Sequence, residues 1–223
     1  MKLGKLIVIE GLDGSGKGTQ GAILYKRLKE KYDFVRPLTF PDYKSDSSAP
    51  LRMYLNGDIS ENPMDINAYA ASSFFAVDRY ISYMTSWKED YNKGGIFLAD
   101  RYTTSNAVYQ VGKSENAEEY LNWVWDYEYN KLGLPKPDLV IYLDMDPSVS
   151  AKLLLKRYKG DAGKKDIHEK DINFLENCRK NAMIVAKNNN WKIVKCSDDN
   201  EPFPVETISE EVFKLAQECI END

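Results

Sequence analysis

The residues best placed to do chemistry lie near the start of the chain, in Gly11-Leu12-Asp13-Gly14-Ser15-Gly16-Lys17-Gly18-Thr19. A glycine, four variable residues, then glycine and lysine is the spacing of a phosphate-binding loop. Glycines at 11, 14, 16 and 18 let the backbone take positive φ and turn N–H groups inward, so the loop and the following helix N-terminus form a nest for an anion. Lys17 then reaches the outer phosphates of a nucleoside triphosphate as a mobile charge. One position departs from the usual pattern. The hydroxyl that ordinarily follows the lysine and ligates magnesium is replaced by Gly18, and the first hydroxyl comes one residue later, at Thr19.

A loop of this kind works only between a buried strand and a helix, and the flanking sequence supplies both. Leu6-Ile7-Val8-Ile9 is continuously apolar, whereas Gln20 to Lys31 places Ile23, Leu24 and Leu28 on one helical face. Four further runs read as strands: Phe34 to Phe40, Ile96 to Ala99, Leu139 to Leu143 and Trp191 to Cys196. Between them, helical spacing predicts helices from the Asn62-Pro63 cap to Gly94-Gly95, from Thr104, over 117–132, after Asp146-Pro147, over 167–187 and over 205–219, with a loop over 41–50. Strands alternating with helices predict an α/β fold, a doubly wound five-stranded parallel sheet with helices on both faces and right-handed crossovers. The 223 residues are expected to form one domain, residues 1–223, with a basic lid segment at about 157–167.

Composition narrows the partners. With 30 basic and 35 acidic residues the net charge is −5, which offers no bulk field for nucleic acid or an anionic membrane. Absence of a signal-like apolar core and of any run of membrane-spanning length predicts a soluble, cytoplasmic protein. The widely spaced Cys178, Cys196 and Cys219 are expected as buried thiols in a reducing compartment. His168, the one histidine, sits in a charged stretch and is expected in solvent.

A phosphate-binding loop is shared by GTPases, motors, ATPases and kinases, so other residues must choose among them. Asn92-Lys93-Gly94-Gly95 and Asn130-Lys131-Leu132-Gly133 both lack the aspartate of a guanine-reading Asn-Lys-x-Asp. Motors and large ATPases need more chain. A small phosphotransferase remains, and phosphoryl transfer demands cations converging on the equatorial oxygens. Lys17, Arg79, Arg101 at the end of the third strand, and Arg157, Lys159, Lys164 and Lys165 are the candidates.

Phe40-Pro41, Phe75 with Arg79, Asp100-Arg101-Tyr102, Ser105-Asn106 with Tyr109-Gln110, Leu134-Pro135-Lys136-Pro137-Asp138-Leu139, Tyr142-Leu143-Asp144 and Glu169 with Phe174-Leu175, taken with Asp13 in the loop, follow one another along the chain. In that order they resemble the thymidylate kinases, which phosphorylate thymidine monophosphate with ATP. The resemblance implies a base stacked on Phe75, its polar edge read by Arg79 and Asn106, and Tyr109 beside the sugar's 2′ carbon. It implies Asp13 on the 3′-hydroxyl, Arg101 on phosphate and Arg157 against the adenine of ATP, with Phe40 and Gln110 also at the substrate. Loop residues Gly11, Gly14, Ser15, Gly16, Lys17, Gly18 and Thr19 hold ATP, and Lys17, Arg101, Asp13 and Arg157 carry the catalysis. Magnesium is expected to ride on the ATP phosphates and water, with Asp100 reaching it through a water and Thr19 a minor partner. Family members are commonly homodimers, and the aromatic stripe of the long central helix is a candidate interface.

Two departures leave alternatives open. Where many members carry an arginine for the acceptor phosphate, this chain has Tyr43 and then Lys44. The run Gly16-Lys17-Gly18-Thr19-Gln20 looks more like adenylate kinases, although no Pro-Arg dipeptide like theirs occurs. A kinase for another nucleoside monophosphate and a catalytically weak nucleotide sensor are the competing readings.

Overall fold

The computed structural model describes residues 3–157, 172–198 and 200–222. In chain order these form β1 (Lys5–Glu10), α1 (Lys17–Lys29), β2 (Val35–Thr39), α2 (Ala49–Asn56), α3 (Ala68–Ser82), α4 (Lys88–Asn92), β3 (Ile96–Asp100), α5 (Thr103–Tyr109), α6 (Ala117–Trp125), β4 (Leu139–Asp144), α7 (Pro147–Arg157), α8 (Ile172–Asn188), β5 (Lys192–Lys195) and α9 (Val205–Glu221). The five strands make one parallel sheet in the order β2-β3-β1-β4-β5.

β1 is central, and its period-two alternation divides the core. Ile7 and Ile9 face a cluster containing Leu24 and Leu28 of α1 with Ile208, Val212 and Phe213 of α9. Leu6 and Val8 face the opposite cluster, built with Trp87, Val108 of α5, and Cys178, Ala182 and Val185 of α8. Leu24 and Leu28 are each almost fully enclosed, which contributes roughly 2 kcal/mol apiece at the usual transfer value for a buried leucine. The chain leaves β1 towards β2 on one side and β4 towards β5 on the other. Open α/β sheets hold ligands beyond the C-terminal ends of their strands, which is where the phosphate-binding loop leaves β1. Ile9 pairs with Asp100 on one side and Ile141 on the other, so the loop after β1 emerges beside Asp100 and Arg101.

The structure corrects the long helix expected over 62–94. Asn62 does cap a turn, accepting from Met64 N at 3.0 Å, but that turn is a single 3₁₀ turn, Pro63–Asp65. Ile66 then takes an extended conformation (φ −97°, ψ 115°), and a second asparagine, Asn67, starts α3 by accepting from Ala70 N at 2.9 Å. Beyond Ser82 the helix widens into a π turn, Tyr83–Trp87, before α4. The loop read over 41–50 gives way earlier than expected to α2, whose signals are a proline in its first turn and Gly57 at its C-terminus with φ 85°. Of the helix expected over 167–187, the described part begins at Ile172, and the expected lid at about 157–167 lies outside the described residues apart from the backbone of Arg157.

Because Asn67 carries the start of the helix that bears Phe75 and Arg79, Asn67→Ala is expected to cost about 1 kcal/mol, or roughly 2–4 °C of melting temperature in a chain of this size. An unchanged melting temperature would show that the cap is not stabilising the helix.

Candidate active site

Glycine is required where the loop turns hardest. Gly14 has φ 80°, and a Cβ there would stand 2.7 Å from Ser150 O, so only glycine lets α7 approach the loop. Gly16, with φ 91°, sets the start of α1. Lys17 is buried, with Nζ donating to Leu12 O at 3.0 Å and lying 3.9 Å from Asp13 Oδ1. Burial first, and Arg101 second, lower its pKa; Asp13, Asp100 and Glu10 oppose that shift.

Asp13 turns away from the nest. Its Oδ1 accepts from Arg101 Nη2 at 2.6 Å and its Oδ2 from Tyr109 Oη at 3.2 Å, while Arg101 Nη2 also reaches Tyr109 Oη at 3.2 Å. Burial pushes the Asp13 carboxyl up, but the charges of Arg101 and Lys17 and the two hydrogen bonds outweigh it, so its pKa falls well below the carboxylate range. Arg101 itself sits at φ 67°, an uncommon conformation for a residue with a side chain, held by its N–H to Ile9 O at 3.1 Å.

Beside this contact opens a cleft lined by Asp13, Pro41, Tyr43, Leu55, Phe75, Arg101, Ser105, Asn106, Tyr109 and Gln110. Of the candidate site residues, Asp13, Phe75, Arg101, Asn106, Tyr109 and Gln110 line it, and Lys17 stands behind Asp13. Gln110 is buried with no hydrogen-bond partner for its Oε1 among the described residues. Phe40 does not reach the cleft: it is buried against Tyr102, ring centroids 5.8 Å apart, and its neighbour Pro41 provides the wall. Arg79 is also absent from the lining. It is 1% exposed, and its Nε and Nη2 donate to Glu128 at 2.6 and 2.5 Å while Nη1 donates to Tyr102 O at 3.3 Å. Burial works against the Arg79 charge, but Glu128 more than offsets this and holds the pKa above its usual value. Nothing is described of the Arg157 side chain or of Lys159, Lys164, Lys165, His168 and Glu169.

Four residues not named from sequence hold the cleft together. Glu10, fully buried at the end of β1, accepts from Thr104 Oγ1 at 2.6 Å and Ser105 Oγ at 2.7 Å. Its signal was available, a charge closing an apolar strand immediately before the loop. Glu128 receives Arg79. Asp78, also buried, accepts from Asp42 N at 2.9 Å and Ser47 Oγ at 2.6 Å, pinning the segment after β2 onto α3. Arg52 Nη1 donates to Tyr43 O at 3.1 Å, Ser45 O at 2.8 Å and Ser48 Oγ at 2.6 Å, bracing the same segment.

Magnesium is a reasonable guest, though the protein supplies few of its ligands. Among the described residues no three of His, Cys, Asp and Glu are grouped as a cage. Asp100 lines a cavity with Lys17 and Gly18, and Thr19 is exposed one residue further along α1. One nearby carboxylate and one hydroxyl suit an ion that keeps most of its water and is held chiefly by phosphates. A Cβ at Gly18 would meet nothing within 4 Å, so packing does not exclude a hydroxyl there.

A phosphate-binding loop tied by an ion pair to a cleft at the C-terminal edge of a doubly wound sheet defines a nucleoside monophosphate kinase of the phosphate-binding-loop class, an ATP-dependent phosphotransferase. The family model described as thymidylate kinase matches residues 9–203, and the chain belongs to the thymidylate kinase family. Among curated relatives, the thymidylate kinase of Homo sapiens is 27% identical over 220 residues, 97% of this chain and 92% of that protein. That of Mycobacterium tuberculosis strain H37Rv is 34% identical over 180 residues, 77% of this chain and 80% of that protein. The match to the Schizosaccharomyces pombe thymidylate kinase, 33% identical over 148 residues, spans 66% of this chain and 64% of that protein. The fold is that of the solved thymidylate kinase from Candida albicans, with TM-score 0.68 and 22% identity over 99% of this chain and 96% of that one.

Lys17→Ala is expected to lower turnover by about 100- to 1,000-fold, the usual cost of removing one charge-stabilising donor, while the melting temperature stays near that of the wild type. Near-normal turnover at saturating ATP would show that the loop lysine is not serving the transferring phosphoryl group.

Proposed function

We propose that the chain transfers the γ-phosphoryl group of ATP to thymidine monophosphate, giving the diphosphate. The observation that carries the reading is the Asp13–Arg101–Tyr109 contact, which joins the triphosphate loop to the cleft containing Phe75 and Asn106. Phe75 offers a half-buried ring for the base, and Asn106 a carbonyl oxygen for a protonated ring nitrogen. Arg101 is the cation beside the acceptor phosphate, Asp13 the acceptor for the sugar 3′-hydroxyl, and Tyr109 the bulk beside C2′. Arg157 keeps the role at the adenine of ATP that the family resemblance implies. When bound with ATP, magnesium would neutralise phosphate charge, with Asp100 and Thr19 the residues able to reach its shell.

Homodimerisation is supported by the outward face of α3 and its continuation, where Tyr69, Val77, Tyr80, Ile81 and Met84 are all exposed. A cytoplasmic location is supported by Cys196, a buried thiol outside any disulfide that burial pushes up to about 12.

A coupled assay with ATP and a panel of monophosphates tests the function. Thymidine and deoxyuridine monophosphates are expected to be used, and adenosine monophosphate at least about tenfold less efficiently, since a purine puts different groups opposite Asn106. Equal use of adenosine monophosphate would favour the adenylate-kinase-like reading, and no turnover with any acceptor would favour a nucleotide sensor. For assembly, Ile81→Asp is expected to convert a dimer to a monomer in sedimentation velocity. Wild-type protein sedimenting as a monomer at micromolar concentration would refute the dimer.

A further inference from the structure

Behind the cleft lies a carboxylate that hydrogen-bonds to one residue of the lining, Asn106. Glu128 follows α6 in a π-helical stretch and is fully enclosed. Its Oε1 accepts from Arg79 Nη2 at 2.5 Å and Asn106 Nδ2 at 2.9 Å; its Oε2 accepts from Arg79 Nε at 2.6 Å and Thr103 Oγ1 at 2.8 Å. A carboxylate facing a bidentate guanidinium is ionised and has acceptor sites only, about four in number, so these bonds saturate it.

The consequence falls on Asn106. One hydrogen of its Nδ2 goes to Glu128 and the other to Ser72 O at 3.3 Å. Both donors of the amide therefore point into the wall, and the group left for the cleft is the acceptor Oδ1. The reversed amide would set Oδ1 against Glu128 Oε1, two acceptors with no proton between them in a site closed to water, which is costly.

We propose that Glu128 is a specificity-determining positioning residue, locking the Asn106 amide so that the cleft presents a hydrogen-bond acceptor and selects a pyrimidine whose N3 carries a proton. The inference rests on the substrate reading above and extends it one layer behind the cleft. Glu128 does not touch the base. It acts by denying Asn106 the flip that would offer an N–H to cytosine, whose N3 is an acceptor.

Glu128→Gln tests this directly, because a glutamine can turn its own amide and donate to Asn106 Oδ1, permitting the flip. The ratio of kcat/KM for thymidine monophosphate to that for deoxycytidine monophosphate is expected to fall by about 10- to 100-fold, whereas Glu128→Asp, which keeps an ionised acceptor, retains the preference. A merely structural role would lower both efficiencies together and leave the ratio unchanged, which overturns the inference. Wild-type enzyme with no preference between the two substrates would overturn the substrate reading and this inference with it. Because Glu128→Gln leaves Arg79 buried without a counter-charge and can prevent folding, a second measurement uses the wild type alone. The Asn106 side-chain N–H₂ resonances, followed by ¹⁵N NMR in hydrogen exchange, are expected to be protected in the free protein; rapid exchange of both protons would show the amide facing the cleft and overturn the proposal.

Discussion

The contact between Asp13 and Arg101 is the one on which the geometry of the cleft turns. A carboxylate within a nest built for phosphates would repel its own ligand, and at 2.6 Å the Arg101 guanidinium removes that repulsion by pairing with it. Both side chains are mostly shielded, 24% and 15% exposed, so breaking the pair by removing one partner costs on the order of 3 kcal/mol. The pair also accounts for the backbone of Arg101. A left-handed conformation costs about 1–3 kcal/mol, and the N–H to Ile9 O together with the ion pair hold it in place. With Arg101 at 2.6 Å, Asp13 is left only a looser 3.9 Å contact with Lys17, the loop's own cation.

Around that contact, two buried carboxylates divide a single short helix between them. Four consecutive residues of α5 are involved: Thr103 and Asn106 bond Glu128, while Thr104 and Ser105 bond Glu10. Glu10 belongs to the strand that carries the triphosphate loop, and Glu128 to the segment after α6. The helix that carries Asn106 and Tyr109 into the cleft is therefore positioned by charge-assisted hydrogen bonds on both sides, not by apolar packing alone. Such bonds are directional and roughly twice as strong as neutral ones, which suits a surface that must distinguish donors from acceptors.

The parts of this protein legible in its sequence are those governed by local rules. Strand identity followed from apolar runs, the loop from glycine and lysine spacing, and the start of α7 from Asp146, which accepts from Ser148 N at 2.9 Å. The family motifs brought Asp13, Phe75, Arg101, Asn106, Tyr109 and Gln110 to one cleft. What stayed hidden depends on contacts between distant segments. Arg79 and Glu128 lie forty-nine positions apart, and nothing in either neighbourhood announces the pairing. The break at Ile66 was hidden for a different reason: Asn62-Pro63 is a sound helix start, and only the second asparagine, five residues on, shows that the first turn is not continued. Phe40 was read as a site residue on its motif, yet burial against Tyr102 uses its ring in the core.

The division of the core by β1 has an evolutionary corollary. The helix that begins at the triphosphate loop packs with α9 on one face of the sheet, whereas α5, which carries Asn106 and Tyr109, packs on the other, and Leu55 and Phe75 of the cleft belong to a third cluster. Substitutions that retune the cleft for a different base would fall on the clusters that hold α5, Leu55 and Phe75 and leave the one between α1 and α9 untouched. Glu10 with Thr104 and Ser105, and Asp13 with Arg101 and Tyr109, are polar contacts that join the strand and loop of the triphosphate side to α5 and the end of β3. Such an arrangement lets acceptor choice drift across a lineage while the ATP-handling half is inherited unchanged.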